Sequence, residues 1–77
     1  MAWYKYPNFI SQNNHTNFDK EWSPGQTPPD NGIYRCKGCG REIASNQGVQ
    51  LPPQNHHQHS GNQGTIRWQM VVCAENG

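Results

Sequence analysis

Five side chains able to hold a metal ion stand in two short groups: Cys36 and Cys39 in Cys36-Lys-Gly-Cys-Gly40, and His56, His57 and His59 just after the stiff Pro52-Pro53 pair. Cys-x-x-Cys followed by glycine is the usual half of a tetrahedral zinc site, because two intervening residues let the chain reverse while both thiolates aim at one point. Gly40 can adopt the backbone conformations such a reversal needs, which are closed to other residues. A redox dithiol uses the same spacing, but it sits at a helix N-terminus, and β-prone residues flank this one. Sulfur together with imidazole favours Zn2+ over the hard cations, which want oxygen.

Seventeen residues separate Cys39 from His57, enough for a hairpin to go out and bring its far end back beside the cysteines. In an extended segment His57 and His59 project to the same side, whereas His56 and His59 do so only on a helical turn, which the prolines disfavour. The expected ligands are therefore Cys36, Cys39, His57 and His59, with His56 as the alternate. Cys73 takes the fourth position if only one histidine binds, and His15 stands apart as a bystander.

Strands must position these groups. Ile33-Tyr34-Arg35-Cys36 is a β-prone run that leads straight into the cysteine turn. Glu42-Ile-Ala-Ser45 and Val49-Gln-Leu51 flank Asn46-Gln-Gly48, where asparagine and glycine tolerate the positive φ of a tight turn, so a hairpin is expected over 42–51. Pro52-Pro53 ends it, since proline cannot donate to a sheet ladder. In Thr65-Ile-Arg-Trp-Gln-Met-Val-Val72 the residues Ile66, Trp68, Met70 and Val72 fall on one face and Arg67 and Gln69 on the other, which makes Trp68 the expected core anchor. No helix is signalled over 33–73.

Upstream, residues 1–22 scatter Trp3, Tyr4, Tyr6, Phe9, Phe18 and Trp22 among amides with no period of 2 or 3.6, and read as an irregular aromatic arm. Its rings pack over the folded part or dock on a partner. Residues 23–32 carry three prolines and an Asn-Gly pair, which makes them a linker of turns. A folded unit over 33–73 and a frayed end over 74–77 complete the division. The expected class is small all-β, a three-stranded antiparallel sheet preceded by the arm.

A chain of 77 residues, 31% of them hydrophobic, with a mean hydropathy of −1.08, has a marginal apolar core. Chains of this kind usually add disulfides, a structural metal or a partner. Three cysteines cannot close a set of internal disulfides, and the opening MAWYKYPNFI lacks the pattern of a secretory signal, so a reducing, cytoplasmic setting is expected. No stretch approaches the length of apolar sequence that a membrane span requires. A formal charge of +1 excludes the strongly basic footprint of a dedicated duplex-DNA binder. Between Ile33 and Cys73, however, Arg35, Lys37, Arg41 and Arg67 face the single acid Glu42, a modest pointer to an anionic partner.

The order Gly32-Ile-Tyr34-Arg-Cys36-Lys-Gly-Cys39-Gly40, then Glu42-Ile43, Gly48, Leu51-Pro52-Pro53 and finally Trp68 with Val71-Val72, resembles the rubredoxin-like zinc ribbons, among them short bacterial proteins of uncharacterised function. The resemblance spans residues 32–72 and implies a zinc-ribbon fold. It departs from the family where the second pair of cysteines belongs, at Gln54 and His57. His57 can ligate; Gln54 is a poor zinc ligand, so a neighbouring histidine has to supply the missing bond. Without four thiolates the chain does not match an iron electron-transfer centre.

The function these observations imply is that of a non-enzymatic binding module with a closed structural Zn2+ site. The chain's carboxylates, Asp19, Glu21, Asp30, Glu42 and Glu75, form no recognisable catalytic pairing, and there is no Ser-His-Asp set or phosphate-cradling glycine loop. Arg35, Lys37 and Arg41 are the expected partner-binding residues. A protein partner is the leading expectation. The alternatives are single-stranded nucleic acid, with Tyr34 or an arm tryptophan stacking on bases, and metal handling or catalysis if the site keeps an open position.

Overall fold

The alternating run near the end of the chain becomes the longest strand of a computed structural model that describes residues 1–53 and 64–74. Four strands form one antiparallel sheet: β1, Glu21–Trp22; β2, Gly32–Cys36; β3, Glu42–Ser45; and β4, Trp68–Cys73. Their order is β1-β4-β2-β3, so the last of the described strands lies inside the sheet. Strands appear within the expected runs 33–36, 42–45 and 65–72, the last beginning only at Trp68, and the end of the arm adds the two-residue β1. The remainder of the described arm is irregular apart from two single-turn 3₁₀ helices, Pro7–Phe9 and Thr16–Phe18. No described helix is long and apolar enough to cross a membrane.

Alternation places the core as the sequence implies. Tyr34, Cys36, Leu51, Ile66, Trp68 and Met70 form the buried cluster, with Phe18, Trp22 and Ile43 packed against it. Trp68 is fully buried, and truncating such a side chain to alanine costs about 3–5 kcal/mol. The arm is therefore divided. Phe18 and Trp22 lean on the core, whereas Trp3 is 94% exposed and Tyr4, Tyr6 and Phe9 also face solvent. Pro28, from the stretch read as a linker, is buried.

The hairpin expected over 42–51 is corrected by the structure. Its turn forms, with Gly48 at φ +78 and the Val49 N–H donating to the Asn46 carbonyl at 3.1 Å. Residues 49–51 are nevertheless not a strand. The Leu51 N–H donates to the Gln26 carbonyl at 2.8 Å, and its side chain enters the core. Burying leucine outweighs continuing a ladder that Pro52 would end in any case. β3 instead pairs with β2, from Gly32 opposite Ser45 to Arg35 opposite Glu42, so the hairpin turns at the cysteines.

β2 also pairs with β4, Cys36 opposite Trp68 and Tyr34 opposite Met70, with a shift after Tyr34 that leaves Val71 as the extra residue of a bulge. The Tyr34 hydroxyl donates to the Asp30 carbonyl at 2.9 Å. Burial, reinforced by the charges of Asp30 and Cys73, pushes this phenol up to about 12. An unfolded tyrosine ionises near pH 10, so the unfolded chain loses the proton first; the stabilisation is complete below about pH 10 and falls as pH rises towards 12. Tyr34→Phe should remove that alkaline loss while costing about 1 kcal/mol near neutrality for the lost hydrogen bond. Urea unfolding followed against pH tests this, and an unchanged alkaline slope in the variant refutes it.

Candidate metal centre

Cys36 ends β2 and Cys39 lies on the turn beyond it. The Gly40 N–H donates to the Cys36 carbonyl at 2.8 Å, and the Cys36 N–H donates to the Arg41 carbonyl at 2.8 Å. Together these bonds fold 36–41 into a closed reversal. Gly40 makes it with φ +83, the left-handed region that other residues enter at a cost. The reversal is docked as well as closed, because the Lys37 N–H donates to the Arg67 carbonyl at 2.8 Å. Cys36 is fully buried and Cys39 is exposed.

The other expected ligands, His57 and His59 with His56 as alternate, lie outside the described residues, as does Gln54. The ends of the segment that carries them are described. Leu51 and Ile66 both pack in the cluster that contains Cys36, and Arg67 is bonded to the cysteine turn itself. Among the described residues no group of three or more metal-ligating side chains gathers, so the described part of the centre is its two-cysteine half. Cys73 is at the wrong end of the sheet to complete it. It lies opposite Gly32, four residues along β2 from Cys36, or about 13 Å at ~3.3 Å per residue. His15 accepts the Asn17 N–H on its Nδ1 at 3.1 Å and caps the second 3₁₀ turn.

The basic side chains divide into two groups. Arg41 is exposed, Arg35 is half-buried with its guanidinium against Gly40, and neither makes an ion pair among the described residues. Lys37 donates to one oxygen of Glu21 at 3.0 Å, and Arg67 reaches the other at 3.5 Å. The hydrogen bond and charge of Lys37, aided by Arg67, hold the Glu21 carboxyl below its usual range. Sequence reasoning missed this clamp because 16 and 46 residues separate the partners. The structure also corrects the role considered for Tyr34: a ring only 1% exposed is not available to stack on a base.

No family profile and no solved structure matches this chain. It is similar to a curated protein of Escherichia coli called Protein L, with 55% identity over 51 residues, or 66% of this chain and 58% of the relative. The chain thus spans little more than half the length of that protein, whose name describes no activity.

Two glycines at opposite ends of β2, Gly40 in the cysteine reversal and Gly32 at the start of the strand, are required in different ways, and substitution should separate them. A Cβ on Gly40 meets only the movable tip of Arg35, so Gly40→Ala should cost about 1–2 kcal/mol, from the left-handed backbone alone. A Cβ on Gly32 collides with the Val72 carbonyl oxygen, a backbone atom held in the β2–β4 ladder. Gly32→Ala should therefore be the more destabilising of the two in denaturant unfolding. The reverse order would show that the close approach is not rigid.

Proposed function

We propose that the chain is a non-enzymatic zinc-ribbon module whose structural Zn2+ is held by Cys36, Cys39, His57 and His59, His56 being the substitute ligand, and whose partner is a protein. One observation carries the metal assignment. The histidine segment leaves the core at Leu51 and returns to it at Ile66, both packed with Cys36, while a closed Cys-x-x-Cys reversal is bonded to Arg67 beside that return point. Thiolates and imidazoles are the donor set zinc favours, and four of them leave no position for water or substrate. Bound there, the ion supplies cross-linking rather than chemistry. Structural zinc contributes about 10–16 kcal/mol in small peptides near neutral pH, against the 5–15 kcal/mol of a whole domain's stability. The reading goes with a reducing, cytoplasmic setting in which cysteines remain thiols.

A protein partner is favoured over single-stranded nucleic acid by two features. Tyr34 is buried, and Lys37 already holds a carboxylate. The side chains offered to that partner are Arg35 and Arg41, with the exposed rings of Trp3, Tyr4 and Phe9.

Purified protein should contain one zinc per chain by elemental analysis, and EDTA should abolish cooperative unfolding. Cys36→Ser and His57→Ala should each lower the zinc content, His57→Ala more than His56→Ala. A metal-free chain that still unfolds cooperatively in EDTA overturns the assignment. In the cobalt-substituted protein, intense visible bands mark a four-coordinate site, and weak ones mark a hydrated site of higher coordination number, which the closed reading does not allow.

A further inference from the structure

β4 accepts β2 along its whole length on one side, but β1 lies beside only its first two residues, with Glu21 opposite Gln69 and Trp22 opposite Trp68. The chain before β1 forms the 3₁₀ helix at Thr16–Phe18, which packs against β4 without pairing with it as a strand, the Gln69 side chain donating to the Phe18 carbonyl at 2.6 Å. Beside Met70, Val71 and Val72 it leaves an open groove of about 1190 Å³, whose far wall includes Phe9, Ile10 and Asn13. Among the described residues no strand covers this part of β4. Folded proteins usually blunt such an edge, because its backbone groups are a template for another strand.

We infer that β1 is an internal stand-in for a partner's strand, and that the edge is built for an extended peptide carrying an acidic residue followed by an aromatic one. The proposal rests on the reading of the chain as a protein-binding module; it does not depend on the metal. Glu21–Trp22 shows what the edge selects. Successive side chains of a strand point to opposite faces. The carboxylate of Glu21 therefore lies between Lys37 and Arg67 on one face, while Trp22 packs against the core on the other. A nucleic-acid strand supplies a charge for the first position but no backbone to extend the ladder. Besides the packing of Trp22, β1 is held by a two-residue ladder and by two exposed ion pairs, which contribute little. A peptide running on past Met70 and Val71 makes the same contacts and adds main-chain hydrogen bonds, the mode by which sheet edges capture peptides.

The probe is a blocked peptide repeating residues 18–23 of this chain, Phe-Asp-Lys-Glu-Trp-Ser, titrated into the 77-residue chain. Glu21→Lys repels Lys37 and Arg67 and releases β1 while leaving both cations in place. If β1 is docked in about nine molecules of ten, its release should tighten peptide binding about tenfold. Amide shifts should concentrate at Met70, Val71 and Val72, and a peptide with lysine in place of its glutamate should not bind. Glu21→Gln, a milder change should the lysine variant fail to fold, should shift affinity in the same direction. Equal affinity of all three proteins, no binding at all, or displacement of β1 by an oligothymidylate but not by the peptide would each overturn the inference. A protein partner that binds through the exposed arm, with Met70, Val71 and Val72 unmoved, would overturn it too while leaving the proposed function intact.

Discussion

The pairing of β2 with β4 that sets Cys36 across from Trp68 is the contact on which the rest of this structure depends. It buries the largest side chain of the core beneath the cysteine turn. Through the Lys37–Arg67 bond it carries the turn itself, and it brings the return point of the histidine segment to the same place. Lose it, and β1 has no neighbour and the basic side chains are no longer brought together around Glu21.

A thin core explains why so much is asked of one strand pair. The fully buried large side chains are few, and one of them is a cysteine. Hydrophobic burial alone must offset backbone ordering at roughly 1–2 kcal/mol per residue, a demand that an Asn- and Gln-rich chain meets narrowly. The small polar bonds therefore matter: Gln69 donates to the Phe18 carbonyl at 2.6 Å and the Gln47 N–H to the Asn31 side chain at 2.6 Å, tying arm and turn to the sheet. The proposed metal cross-link at the cysteine turn would reinforce the end of the sheet that already holds Trp68.

What could be read from the residues beforehand was whatever obeys a local rule. The period-two run marked β4 and the inward positions Ile66, Trp68 and Met70, and the glycine after the second cysteine marked a reversal with positive φ; both appear in the structure, except that the bulge at Val71 sets Val72 opposite Ile33 and outside the core cluster. The partner of β3 was misjudged because turn chemistry at Asn46-Gln-Gly48 is a local signal, whereas the fate of Leu51 was decided by a distant core and by the Gln26 carbonyl. Gly32 reads as a loop glycine until the Val72 carbonyl is found against it. The Glu21 clamp and the bulge at Val71 depend on register between segments far apart in sequence, which no pattern in either segment encodes. The cysteine half of the candidate centre was legible in residue types; its docking on Arg67 was not.

The position of β4 has a kinetic consequence. It follows the other three described strands, yet it occupies the interior of the sheet between β1 and β2. The hairpin of β2 and β3 is local and free to form as soon as both segments exist, but it encloses no core. Closure waits for residue 68 to come back across more than thirty positions, and loop entropy must be spent before any contact rewards it, which slows folding. On the ribosome the sheet stays open until β4 has been synthesised, so the three strands made before it wait for their central partner.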